Sequence, residues 1–204
     1  MKTEGLGGAV GLTHLFLRRV VVPGDVVVDA TCGNGFDTLF LARLVGDGGR
    51  VWAFDLQAEA IRSAEARLDE AGCLSRVKLV NAGHERLDEY LKEKVRAVVF
   101  NLGYLPGVPD GQVTCADSTL AALDRASELL LPGGIITVAL YTGHPGGAEE
   151  AAMVEKWAAG LPPRGFNSWK SRQLNRSELA PFVIVVERQP SGRGAKTDSC
   201  RECT

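Results

Sequence analysis

Short stretches of this chain carry side chains whose type and spacing suit ligand or group-transfer chemistry. In Val26-Val27-Val28-Asp29-Ala30-Thr31-Cys32-Gly33-Asn34-Gly35-Phe36-Asp37-Thr38, β-branched apolar residues run into a carboxylate and then a glycine-rich turn. A buried parallel strand delivers its chain to a ligand in this way, at its carboxyl end. Gly33 and Gly35 permit positive φ and close backbone approach, and Leu39, Phe40, Leu41, Leu44 and Val45 mark an amphipathic helix starting near Asp37-Thr38. A nucleotide-type cofactor is expected over the amino end of that helix.

A second apolar run, Arg50-Val51-Trp52-Ala53-Phe54-Asp55, ends in another carboxylate, about 20 residues on, where a ribose-binding acid is expected. The dinucleotide pattern G-x-G-x-x-G fails at its third glycine, where Thr38 stands. An acid at the mouth of the first strand, Asp29, would repel a pyrophosphate and suit the cationic methionine end of S-adenosylmethionine. The methyl donor is therefore the expected cofactor. Asp29, Ala30, Thr31, Gly33, Asn34, Gly35, Asp37 and Thr38 would surround its methionine end and sulfonium. Asp55 would take the ribose, Leu56 and Gln57 would flank the adenine, and Gly83 and His84 would close that end. A nicotinamide-dependent oxidoreductase is the competing reading, and a non-catalytic RNA-binding protein that kept the fold is another.

The strand Val95 to Phe100 opens into Asn101-Leu102-Gly103-Tyr104-Leu105-Pro106-Gly107. Enzymes that methylate exocyclic amines often carry a tetrad here, with Asn, Asp or Ser first, two prolines, and Tyr or Phe fourth. Asn101 and Tyr104 match, while Leu102 and Gly103 replace the prolines, and Asn101 is also expected to touch the cofactor. An amide oxygen can accept an amine hydrogen and aim the lone pair at the methyl, and the ring can stack on a base. A plain turn with a structural tyrosine is the other reading. Tyr141-Thr142-Gly143-His144-Pro145-Gly146-Gly147 follows the next strand; Tyr141 and His144 point toward the cleft, where His144 either takes a proton from a substrate ammonium or caps the helix Gly147–Ala159.

The other histidines are open in the same way. His14 lies on a short helix, Val10 to Val20, either as a partly exposed side chain or as a substrate or cofactor contact. His84 either touches the adenine end or caps the helix that follows. Arg164 to Arg176 interleaves cations with aromatics, among them Trp169, Lys170, Arg172 and Asn175. Such a mix grips phosphates and stacks unpaired bases, or it is a solvated strand whose aromatics face the core.

The elements that must position these residues alternate strand and helix. Strands at Val26–Asp29, Arg50–Asp55, Val77–Val80, Val95–Phe100 and Ile135–Tyr141 are separated by helical patterns at 37–45, 57–71, 84–91 and 117–131, the last ending in Pro132-Gly133-Gly134. Crossover helices make such strands parallel, so their loops gather at one edge. Pro181-Phe182-Val183-Ile184-Val185-Val186-Glu187 is a last strong strand.

With 204 residues and 45% hydrophobic content, the chain is enough for one α/β domain, expected over residues 1–188, and a polar tail over 189–204 that reads as disordered. A net charge of -2 excludes a broadly basic nucleic-acid coat but not a local patch. Five cysteines at irregular spacing, without a signal segment or an apolar run long enough to span a membrane, suit a reducing cytoplasm. The tail's Cys200-Arg201-Glu202-Cys203 has no second cysteine pair and no nearby histidine, so no metal site is expected.

Together, Asp29-Ala30-Thr31, Gly33-Asn34-Gly35, Asp37-Thr38, Phe54-Asp55-Leu56-Gln57, Asn101-Leu102-Gly103-Tyr104-Leu105-Pro106-Gly107 and Gly143-His144-Pro145-Gly146-Gly147 resemble the rRNA methylase family of small class I S-adenosylmethionine-dependent methyltransferases. The resemblance covers roughly residues 10 to 188, and its most specific part is the last two motifs on successive strand ends. It implies a Rossmann-like α/β fold with a seven-stranded, mostly parallel sheet, helices on both faces, and a terminal hairpin that inserts the last strand antiparallel. It also implies an RNA amine as substrate, foremost the 5-aminomethyl group of a wobble 2-thiouridine in tRNA, with rRNA and small-molecule amines as alternatives. Where the family tends to carry an asparagine followed by paired prolines, this chain has Asn175 and a single Pro181, so the substrate-side loop differs. A homodimer is expected because so small a domain offers little surface to hold a folded RNA alone.

Overall fold

A computed structural model describes residues 7–103 and 115–190. In chain order these form α1 (Ala9–Val20), β1 (Val26–Asp29), α2 (Phe36–Val45), β2 (Arg50–Asp55), α3 (Ala58–Glu70), β3 (Val77–Asn81), α4 (Leu87–Tyr90), β4 (Val95–Leu102), α5 (Ala116–Leu129), β5 (Leu130–Leu140), α6 (Gly147–Gly160), β6 (Phe166–Ser171) and β7 (Phe182–Arg188). Single 3-10 turns at Leu74–Arg76 and His84–Arg86 lead into β3 and α4 respectively.

Among the described residues the strands make one sheet in the order β3-β2-β1-β4-β5-β7-β6. β3, β2, β1, β4 and β5 are parallel neighbours, and β7 inserts antiparallel between β5 and β6. This is the mostly parallel sheet with an antiparallel last strand that the family resemblance implies. Successive strand residues face opposite sides, and both sides are buried. On one, Val28, Phe54, Val98 and Phe100 pack with Leu87, Leu123, Ala126 and Val154 from α4, α5 and α6. On the other, Val27, Val51, Ala53, Ala97 and Val99 pack with Leu17, Leu41, Val45, Ala64 and Leu68 from α1, α2 and α3. A strand buried on both faces has no polar alternation to preserve, which is why β1 and β4 read as continuous apolar runs.

The structure departs from the expected helix end at Pro132-Gly133-Gly134 and strand start at Ile135. Helix α5 stops at Leu129 and the chain enters β5 at once: Leu130 pairs with Val95, and the register then jumps so that Ile135 pairs with Ala97. Residues 131–134 are a bulge within the strand. Pro132 disfavours a helical Leu131, and a Cβ on Gly134 would lie 2.7 Å from the Arg96 carbonyl oxygen, so the bulge closes only around glycine.

Candidate active site

The carboxyl ends of β1, β2, β4 and β5 meet at one edge, and β1 with β4 forms the point from which strand order runs in opposite directions, where open α/β sheets hold their ligands. At the end of β1, Asp29 is 0% exposed. Its Oδ2 accepts the Thr38 hydroxyl at 2.6 Å and its Oδ1 the Thr31 amide at 3.2 Å. Burial, reinforced by the negative charge of Asp37, pushes its carboxyl up to about 7. Asp29 is therefore not the open acid expected at the lip: Thr38, in the first turn of α2, folds back over the strand end, and Asp29 braces the turn from beneath. The partly exposed carboxylates at the crevice are Asp37 and Asp55.

The turn above Asp29 is closed by the Gly35 amide donating to the Cys32 carbonyl at 2.9 Å. Gly35 has φ 78°, and a Cβ there would meet the Ala64 Cα of α3 at 2.8 Å, so the left-handed turn and the close helix both require glycine. The Arg67 Nε of α3 donates to the Asn34 carbonyl at 2.7 Å, and its guanidinium lies 3.6 Å from the centroid of the Phe36 ring. The buried Cys32 thiol sits 3.3 Å from the Thr38 hydroxyl, and burial pushes it well above the usual thiol range.

Asp55, at the end of β2, accepts the Gly33 amide on Oδ2 at 2.8 Å and the Gln57 amide on Oδ1 at 2.9 Å. Each carboxylate oxygen has a second acceptor site, so the fixed carboxylate can take two neighbouring hydroxyls, as a ribose presents. Leu56 beside it is 59% exposed, an apolar surface of the kind that covers a base. Asn81 Nδ2 steadies the strand end by donating to the Asp55 and Leu56 carbonyls at 3.0 and 2.9 Å. His84 does not present its ring here. The imidazole is 9% exposed, lies edge-on to Phe100, and its Nδ1 donates to the Ala30 carbonyl at 3.1 Å; desolvation lowers its pKa and keeps it neutral. It ties the turn after Gly83 to the end of β1.

Asn101 lies in β4 rather than in the loop beyond it. Its amide donates to Thr31 Oγ1 at 2.7 Å, and its Nδ2 to Asp37 Oδ2 at 3.2 Å. A carboxylate cannot donate, so the amide nitrogen must face it and the amide oxygen stays available as an acceptor. Asp37 Oδ1 is taken by His14 Nε2 of α1 at 2.7 Å. His14, which the sequence left undecided, thus joins the site. Only its spacing on a helix was visible beforehand, and nothing local pointed to Asp37. Tyr141 follows β5 and is half-buried; desolvation, then the charge of Asp37, raises its phenol above the ordinary value. The turn after it is tight, with the Gly147 amide donating to the His144 carbonyl at 3.1 Å and His144 Nδ1 at 3.0 Å from the Pro145 carbonyl. Tyr104 lies outside the described residues, as do Cys200 and Cys203.

β6 runs in the same direction as β5, because each is antiparallel to β7. Arg172 and Asn175 therefore follow β6 at the same edge as Asn101 and Tyr141. Phe166 packs on the core and Trp169 is 51% exposed, so only one of these two aromatics faces the core. Its cations have local partners: Lys170 pairs with Glu155 at 2.6 Å, and Arg172 with the Glu178 carboxylate at 2.6 Å and with the Glu178 carbonyl. Among the described residues no three His, Cys, Asp or Glu side chains come together as a metal site.

Comparison with known proteins bears on this geometry. The family model described as "Putative rRNA methylase" matches residues 51–187. The chain is 44% identical over 188 residues to the chloroplastic tRNA (mnm(5)s(2)U34)-methyltransferase of Arabidopsis thaliana, covering 87% of this chain and 68% of that protein. A crystal structure described as a "putative rRNA-methylase" from Clostridium thermocellum superposes with a TM-score of 0.88 at 39% identity, over 91% of this chain and 100% of that one. One described as a "putative methyltransferase" from Streptococcus mutans in complex with SAH superposes with a TM-score of 0.82 at 31% identity, over 90% and 99% of the two chains.

Proposed function

The chain belongs to the rRNA methylase family and is an S-adenosylmethionine-dependent methyltransferase, and from that premise we propose that it N-methylates the 5-aminomethyl group of a wobble 2-thiouridine in tRNA. The observation that carries an amine substrate is the Asn101 amide, turned by Asp37 so that its oxygen is the acceptor on offer. The tRNA end of the reading is supported by the 44% identity to the Arabidopsis enzyme.

The residues at the crevice fit the cofactor, since a carboxylate with two acceptor sites left, an exposed leucine and a turn over acidic groups suit a ribose, an adenine and a sulfonium. Asp55 would hold the ribose, with Leu56 and Gln57 at the adenine and Gly83 and His84 behind it. Gly33, Asn34, Gly35, Asp37 and Thr38 would hold the methionine end, with Asp29, Ala30 and Thr31 bracing the turn beneath. Bound there, S-adenosylmethionine supplies an electrophilic methyl: the amine lone pair forms the N–C bond as the C–S bond breaks, its electron pair stays on sulfur, and the methylated nitrogen releases a proton. Asn101 orients the amine through one of its hydrogens. Tyr104 stacks on the base, and Tyr141 and His144 flank the amine, with His144 as the group that takes the ammonium proton. Trp169, Lys170, Arg172 and Asn175 would contact the RNA along the edge of β6.

The reading includes a methyltransferase domain over residues 1–188 followed by a tail, and a homodimer working in the cytoplasm. No helix among the described residues is long and apolar enough to cross a membrane. The deciding experiment incubates the protein with labelled S-adenosylmethionine and with tRNA or rRNA from cells lacking the enzyme, then identifies the labelled nucleoside. Label in the 5-aminomethyl wobble uridine is expected. Label in rRNA alone, or only in a small-molecule amine, would overturn the substrate.

A further inference from the structure

We infer that His14 is a positioning residue for this reaction, acting through Asp37 to fix which atom of the Asn101 amide faces the substrate amine. The inference rests on the amine-methylating reading above. It joins three elements: His14 on α1, Asp37 in the first turn of α2, and Asn101 near the end of β4.

Asp37 is the hub. Its Oδ1 accepts from His14 Nε2 at 2.7 Å and its Oδ2 from Asn101 Nδ2 at 3.2 Å. Both side chains of the His14–Asp37 pair are largely buried, at 25% and 13% exposed. A short hydrogen bond to a carboxylate is among the stronger ones a side chain makes, and here it sets the rotation of the carboxylate that Asn101 then follows. The imidazole is itself held, lying flat on the Phe40 ring with centroids 3.7 Å apart and planes 3° from parallel. Arg18, one turn further along α1, places its guanidinium 4.9 Å from the centroid of the same ring. The ring orientation is therefore fixed before the hydrogen bond forms, and little freedom is lost in making it.

The consequence falls on Asn101. An amide presents either an acceptor or a donor to the cleft, depending on a half-turn about its last bond. An amine that must keep its lone pair for the methyl can give a hydrogen to the oxygen, whereas the NH2 face would compete for that lone pair. With Asp37 held, the oxygen is presented. Without His14, the carboxylate is free to rotate and the amide free to turn with it.

Two substitutions separate hydrogen bonding from packing. His14→Phe keeps a flat ring for Phe40 and removes the donor; His14→Gln keeps a donor and removes the ring. Steady-state kinetics with 5-aminomethyl-bearing tRNA should show kcat of His14→Phe reduced roughly 10- to 100-fold, the range of one lost charge-assisted bond, with the RNA KM and the S-adenosylmethionine Kd within about threefold of wild type. His14→Gln should recover most of kcat. In an Asn101→Ala background, His14→Phe should cost nothing further. The Asn101 side-chain NH2 signal in nitrogen-resolved NMR gives a readout that needs no substrate: distinct and slowly exchanging in wild type and His14→Gln, averaged in His14→Phe. A His14→Phe protein with wild-type kcat, or an Asn101 signal indifferent to His14, would overturn the inference. If wild type fails to methylate the tRNA while the amide signal responds as described, the substrate reading fails and the positioning role stands.

Discussion

Replacing Asp55 by alanine should cost this protein its cofactor far more than its fold. The carboxylate ends β2 with one backbone donor on each oxygen, Gly33 at 2.8 Å and Gln57 at 2.9 Å, leaving an acceptor site on each for the ribose. Hydrogen bonds to charged groups contribute about 1.5–3 kcal/mol each, so losing two at the lower figure removes about 3 kcal/mol of binding. At 1.4 kcal/mol per decade that is a roughly 100-fold rise in Kd, before any loosening of the Gly33 turn. Asp55→Asn, with one acceptor oxygen instead of two, should fall between. Asn81→Ala is the control, because it releases only the exposed bonds to the Asp55 and Leu56 carbonyls, and it should change Kd by less than about threefold. Calorimetric titration with S-adenosylmethionine measures all of these, and a thermal melt without ligand confirms that each variant unfolds cooperatively. An Asp55→Ala protein that melts cooperatively and binds within about threefold of wild type would refute the ribose assignment.

Asp29 should make the fold lose stability as pH rises. Its folded carboxyl titrates near 7 because it is buried, while the unfolded chain releases that proton near the ordinary carboxylate value of about 4. Its favourable contribution is therefore complete below about 4 and gone above about 7. Asp29→Asn cannot titrate, so its Tm relative to wild type should climb across that window; a pH-independent difference would contradict the burial argument. Gly35→Ala combines a left-handed backbone, costing about 1–2 kcal/mol, with overpacking against Ala64, costing about 1–3 kcal/mol, and should lower the urea midpoint accordingly. Asn101→Ala keeps the backbone bond to Thr31, so kcat should fall roughly 10- to 100-fold, no less than for His14→Phe; equal activity would remove the amide from the mechanism.

Much of this architecture could be read from the chain because the signals are local. Val26 to Val28, Val95 to Phe100 and Phe182 to Val186 are continuous apolar runs, and a strand shielded on both faces leaves no other pattern. Gly and Pro punctuate the helices, and the acids at positions 29 and 55 mark strand ends facing one edge. Pro132-Gly133-Gly134 was misleading for the same reason: turn-forming residues look alike whether they join two elements or bulge within one strand, and only the jump from the Val95 pair to the Ala97 pair tells them apart.

What composition and spacing could not supply is which side chains meet once the strands are ordered. Asp29 looks like an open carboxylate until Thr38 closes over it, and His14 looks like a helix-surface residue until α1 settles beside α2. His84 stays open between an adenine contact and a helix cap until its ring is seen to reach the Ala30 carbonyl. Backbone conformation and burial period are properties of neighbours in sequence, so the amino-acid order determined the elements and the edge at which they deliver their loops. Burial, charge and hydrogen-bond partners at the site depend on approaches across 23 and 64 residues of chain. Those were decided only when the β1–β4 crossover brought α1, α2 and β4 within a few ångströms of Asp37.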